Sequence, residues 1–176
     1  MKTREITLDS GEKFTVPQGV QRLDSRSTRG WQVRYQGTRY FADGTAGPKK
    51  ALGAATRELL RRIATLPAPV VLKRSASPLK TSELPPGISG PLLVTKPGTG
   101  EQSAVLSVLI PRFDEPNQTR QIYIGTSRTY TQARYKAALA QAVQLRAESV
   151  LLYESAATKA RRKAAAAMKK ALAAAH

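Results

Sequence analysis

Residues 30–41, GWQVRYQGTRYF, alternate apolar and polar side chains with a period of two, and a run of that kind can only be satisfied as strand. Trp31, Val33 and Tyr35 fall on one side, and Gln32, Arg34 and Gln36 on the other. Gly37-Thr38 reads as a tight connection, after which Arg39 and Phe41 oppose Tyr40 and Ala42. The period then changes. Leu52, Ala55, Leu59 and Ile63 recur at spacings of three and four, which makes one apolar stripe on a helix. Pro48 suits the first turn of that helix, and Pro67 and Pro69 stop it. With a strand expected from Gly19 to about Arg26, residues 19–64 read strand, strand, strand, helix.

The same order recurs downstream. Gly87-Ile88 opens it as Gly19-Val20 opened the first. Strands are expected at Leu92–Val94, Ala104–Ile110 and Arg120–Gly125, with a turn at KPGTGE. A helix of about 26 residues follows from TYTQARYKAAL, with Thr129 as the expected N-cap and Gln132 completing a capping box. Upstream of both, EITLDSGEKFTV reads as a hairpin about Asp9-Ser10-Gly11. The expected fold is therefore α+β: two repeats of a three-stranded antiparallel sheet packed on one helix, plus a basic Ala/Lys-rich C-terminal helix or tail. Residues 1–66 hold the hairpin and the first sheet–helix unit. Residues 67–86 are a Pro/Ser-rich linker, in which Val70-Val71-Leu72 could add an edge strand. Residues 87–155 form a second, divergent unit, and 156–176 the basic tail.

Charge narrows the function. The chain carries 29 Lys and Arg against 12 Asp and Glu, a net +17. Most of the excess lies in 1–66, at net +7, and in 156–176, at net +6. Such an imbalance repels itself and calls for an acidic partner, most commonly nucleic acid. The chain has no cysteine, which removes disulfides and thiolate metal sites. It has no apolar run of 18 residues, and MKTREITLDSGEKF lacks the apolar centre of a secretory signal. A cytoplasmic, nucleoid-associated location is expected, or a nuclear one in a eukaryote, with no membrane partner.

An enzyme is not expected, nor are a cofactor, a metal or a small-molecule substrate. The single histidine is His176, the last residue. Asp114-Glu115 stands before Pro116 as a turn signature, and GTAGPKK and KPGTGE lack the spacing of a phosphate loop.

The order Gly-Val, Trp-x-Val-x-Tyr, Gly-x-Arg and then helix resembles the Apetala-two/ethylene-response-factor DNA-binding domain, over residues 19–64 and more loosely over 87–147. IYIGTSRTYTQARYKAALA in the second segment is similar to that family's passage from strand to helix. The resemblance implies a sheet that enters the major groove of duplex DNA with the helix behind it. It puts Trp31, Val33 and Tyr35 in the core. It puts Gln32 and Arg34 of the middle strand, and Arg39 and Phe41 of the third, toward the bases. On the first strand Gln21 takes a base-facing place, while Leu23 departs from the family's arginine. Arg and Gln suit that task because each can bond two acceptor or donor atoms of one base edge. Arg22, Arg26, Arg29, Lys49 and Lys50 are expected at phosphates, as are Arg112 and Arg120 and the tail residues Lys159, Arg161, Arg162 and Lys163. In the second unit Ser103, Ser107, Gln121 and Tyr123 are expected to face outward. The expected function is thus a duplex-DNA-binding transcriptional or nucleoid regulator, with homodimerisation open. A basic protein-interaction module of a phage or host protein, and an RNA-binding factor, are the alternatives.

Overall fold

A computed structural model describes residues 1–70, 72 and 82–174. Val71 and residues 73–81 of the Pro/Ser-rich linker lie outside these residues, as does His176, and Val70 and Leu72 of the expected edge strand belong to no strand. Among the described residues the fold is α+β, with three small antiparallel sheets and two α-helices. The chain divides into two compact units, one of residues 1–69 with 157–176 and the other of residues 70–156.

In the first unit, strands β1 (Thr3–Thr7) and β2 (Lys13–Pro17) form the N-terminal hairpin. Its turn is closed by Gly11 N–H donating to the Leu8 carbonyl at 2.9 Å. Strands β3 (Val20–Asp24), β4 (Arg29–Arg34) and β5 (Thr38–Ala42) form a separate sheet in that order. Helix α1 (Gly47–Thr65) covers one face of it. Trp31 and Val33 are fully buried there against Ala55, Leu59 and Ile63, and Phe14 meets the Trp31 ring edge-on at 5.8 Å. The indole N–H is satisfied by the Pro48 carbonyl at 2.9 Å, so the ring is buried without an orphaned donor.

The register of β4 with β5 differs from the expected one, and this decides the site. Arg34 pairs with Thr38, Val33 with Arg39, Gln32 with Tyr40 and Trp31 with Phe41. Three residues, Tyr35 to Gly37, cross between the strands, and Gln36 and Gly37 take left-handed φ angles of 48° and 106°. A two-residue connection at Gly37-Thr38 would have set Gln36 against Arg39. The observed pairing is an odd number of residues away, and an odd shift exchanges every side chain between faces. Arg39 and Phe41 therefore lie on the helix side with Val33 and Trp31, and Tyr40 lies on the outer side with Gln32.

The second unit contains β6 (Ile88–Thr95), β7 (Gln102–Ile110) and β8 (Gln118–Thr126), again paired in sequence order. Ile88, Leu106, Val108, Ile122 and Ile124 pack against Ala138 and Ala142. These alanines belong to α2, which runs unbroken from Gln132 to Ala174, 43 residues. The expected N-cap is displaced by two: Thr131 Oγ1 accepts from the Arg134 N–H at 3.2 Å, while Thr129 Oγ1 accepts from the Thr126 N–H within the preceding turn.

The basic tail takes the helical of its two expected forms, but as the end of α2 and not as a separate element. Residues 157–174 continue α2 and belong to the first unit. Ala157, Ala165 and Met168 are buried, and Ala165 joins the core around Trp31. An Ala-rich segment with one large apolar group therefore still contributes a buried face. The N-terminal ammonium donates to the Ala164 carbonyl at 3.4 Å, and the Ala68 N–H to Thr158 Oγ1 at 3.0 Å.

Candidate nucleic-acid interface

The sheet face turned away from α1 carries the polar row. Pairing sets Gln21 opposite Gln32 and Gln32 opposite Tyr40, with Arg34 one step along β4. Arg34 Nε donates to Gln32 Oε1 at 2.5 Å. This contact holds the guanidinium beside the amide and occupies the amide oxygen, so the pair presents N–H donors outward. Tyr40 lies over Gly30: a Cβ on Gly30 would meet Tyr40 Oη at 2.6 Å and the Phe41 carbonyl at 2.2 Å. Glycine at this position leaves room for the end of the Tyr40 side chain.

Beside this row a cleft of about 350 Å³ opens between β1 and the edge of β3. Lys2, Arg4, Gln18, Gln21 and Arg34 line it, three cations with no carboxylate among them. Arg4 is steadied by the Val20 carbonyl at 3.4 Å. Lys2 and Arg4 were not anticipated as site residues. The hairpin that carries them is legible in the sequence, but its position beside β3 depends on packing of Phe14 and Val16 onto Trp31.

Of the expected base-facing residues, Gln21, Gln32 and Arg34 share the outer face, whereas Arg39 and Phe41 are excluded from it. Arg39 reaches toward α1, 3.5 Å from Glu58 and over the Phe41 ring at 5.4 Å. Glu58 is the hub of that side. It is buried, with Arg61 and Arg62 each 2.8 Å away. Hydrogen bonds from Arg61 and then Arg62 lower its pKa to about 2 against the opposing effect of burial, and the carboxylate raises that of Arg61. Arg62 also donates to the Tyr35 and Gly37 carbonyls at 3.1 and 3.0 Å, which ties α1 to the β4–β5 loop. Burial raises the pKa of the Tyr35 phenol, opposed by the nearby Arg161 and Arg162.

The expected phosphate contacts divide similarly. Arg22 is not available to one: its side chain is 10% exposed, clamped by Asp43 at 2.7 Å and Asp24 at 3.3 Å, and set over the Trp31 ring at 5.1 Å. It shares the helix-side parity of Trp31, its strand partner, and its charge is spent locally. Arg29 is largely exposed although 3.5 Å from Asp24, and Arg26, Lys49 and Lys50 are exposed. Arg112 pairs with Glu115. Arg120 pairs with Val108 in the sheet and so faces α2, where it lines a hollow with Gln144 and Glu148. In the tail, Arg161 donates to the Gln18 carbonyl and Arg162 to the Ile63 carbonyl, both at 3.4 Å, while Lys159 and Lys163 are exposed.

The outer face of the second sheet carries Ser107 opposite Gln121 and Val105 opposite Tyr123, with exposed Leu92 and Leu109. Ser103, expected to face outward, is half-buried. Among the described residues no three His, Asp or Glu side chains converge as a metal site would require, and no helix is long and apolar enough to cross a membrane. Comparison with family models, with curated proteins and with solved structures finds no match to this chain.

Proposed function

We propose that the protein is a non-catalytic regulator that binds duplex DNA through the outer face of the β3–β4–β5 sheet. The observation that carries this reading is the co-facing set Gln21, Gln32 and Arg34 beside a cleft whose only charged side chains are the cations Lys2, Arg4 and Arg34. A three-stranded sheet fits the width of the major groove, and the Arg34–Gln32 pair offers donors to acceptor atoms on base edges. Tyr40, on the same face, supplies the apolar surface expected of Phe41. Lys2 and Arg4 approach one flanking strand of phosphates, with Arg26 and Arg29 at the β3–β4 turn available to another. The excess charge of the chain supplies affinity that does not depend on sequence.

We further propose that the two sheet–helix segments are a duplication of one unit, and that only the first reads DNA. In support, both follow the order strand, strand, strand, helix, but the outer face of the second presents Ser107, Gln121 and Tyr123 where the first presents Gln32 and Arg34.

The test uses a duplex selected from a random pool by the full chain. Arg34→Ala removes one bidentate contact, worth about 1–3 kcal/mol, and should weaken binding to the selected duplex roughly 5- to 150-fold. Binding to a random duplex should change much less. Equal losses on both would mean that Arg34 touches only phosphate, and no measurable duplex binding at physiological salt would reject the reading.

A further inference from the structure

The helix side of the first unit carries a second basic surface with a different chemistry. A groove of about 590 Å³ runs between α1 and the end of α2. Its floor is Leu60, Ile63, Ala64, Ala165 and Ala166, and its rim is Arg57, Arg61, Arg162 and Lys169. Four cations and no carboxylate line it. Two rim groups are held in place, Arg61 by Glu58 and Arg162 by the Ile63 carbonyl. Arg57 and Lys169 stand exposed.

A sugar–phosphate backbone could answer the rim but would gain nothing from an aliphatic floor. An uncharged apolar segment could answer the floor but would leave Arg57, Arg162 and Lys169 facing it without counter-charge. The groove matches a ligand with both properties, and a trough between two helices accepts a third through residues spaced three and four apart. We propose that it docks an acidic amphipathic helix of a partner protein, with leucine-like side chains on the floor and carboxylates against Arg57, Arg61, Arg162 and Lys169. α1 lies on one face of the sheet and Gln32 and Arg34 on the other. The groove therefore remains accessible when the outer face is occupied, and the proposal stands whether or not that face binds DNA.

The test is fluorescence anisotropy of a labelled synthetic amphipathic peptide, with leucines on one face and glutamates flanking them, titrated with the full chain. Saturable binding is expected. Arg57→Glu combined with Lys169→Glu should weaken it at least about tenfold through charge repulsion across the interface. Ala166→Glu, an exposed substitution on the floor, should do the same. A peptide with serines in place of the leucines should also bind about tenfold more weakly, since each lost apolar anchor costs a large part of such affinity. Unchanged far-ultraviolet circular dichroism and Trp31 emission show that each variant is folded. No binding, equal binding by the serine peptide, or indifference to these variants would overturn the proposal. So would displacement of the peptide by duplex DNA from wild type and Arg34→Ala alike, or preferential capture of phosphatidylglycerol vesicles through the same rim residues.

Discussion

Glu58→Gln is the substitution that most sharply tests the helix side of the first unit. The carboxylate serves three arginines of unequal weight. Arg62 is 12% exposed and makes a charge-assisted hydrogen bond at 2.8 Å, worth about 1.5–3 kcal/mol. Arg61 and Arg39 are more than half exposed, so solvent screening leaves each a minor contributor beside Arg62. Glutamine keeps one acceptor but turns an amide N–H₂ toward another guanidinium. The expected loss is about 2–3 kcal/mol, which at a urea m-value of about 2 kcal/mol/M lowers the midpoint by roughly 1–1.5 M. Trp31 is the only tryptophan and is fully buried in this unit, so its fluorescence reports the transition of interest. The pH dependence has a definite sign. A carboxyl whose folded pKa is about 2, against an ordinary 4.5, contributes fully above 4.5 and loses its contribution as pH falls through about 2. The gap between wild type and Glu58→Gln should hold from neutral pH to about 5 and close below 4.5. A variant within about 0.5 kcal/mol of wild type at neutral pH, or a gap that widens on acidification, would refute the reasoning.

Three further outcomes follow from the geometry. Gly30→Ala drives a Cβ into the Tyr40 ring and the Phe41 carbonyl, and should cost about 1–3 kcal/mol by the same fluorescence melt; a neutral result would mean that Tyr40 does not lie on Gly30. Met168→Ala removes the one large apolar anchor in the described part of the tail and should cost about 2 kcal/mol. It should also speed hydrogen exchange of amides near residues 160–170 while sparing those near 135–145, and equal protection in both variants would place the docking energy elsewhere. Neutralising Lys2 and Arg4 together with glutamine should reduce the slope of log K against log[salt] by about 2 for any duplex; an unchanged slope would take the cleft out of the DNA interface.

The elements themselves were legible, because period two and period 3.6 are properties of single segments. The hairpin about Gly11, the three strands before α1 and the stripe Ala55, Leu59, Ile63 all stand where the pattern puts them. What a single strand does not encode is its phase against its neighbour. Arg39 and Phe41 alternate in β5 as expected, but their side of the sheet is set by how many residues cross at Tyr35–Gly37, and a three-residue connection with Gln36 and Gly37 left-handed exchanges it. Phe41 was a clue, since an aromatic ring opposite Trp31 is better placed in a core. Arg22, expected at a phosphate, is clamped by carboxylates instead, and Glu58 was not singled out at all, for a related reason. An ionic residue in a strand or on a helix reads as surface until its partners are known, and Asp43 and Arg62 are brought to them only by tertiary packing. The burial of the tail helix was not legible because alanine counts for little by size, yet Ala157 and Ala165 are buried together with Met168.

The central claim is that duplex DNA lies on the sheet face opposite α1, and side-chain nuclear magnetic resonance tests it most directly. On titration of the isotope-labelled chain with its selected duplex, the account predicts shifts at the amide groups of Gln21 and Gln32 and the guanidinium of Arg34, with Arg39, Arg62 and Trp31 undisturbed. Shifts confined to Arg39, Arg61 and the α1 surface, with Gln32 and Arg34 unmoved, would contradict it.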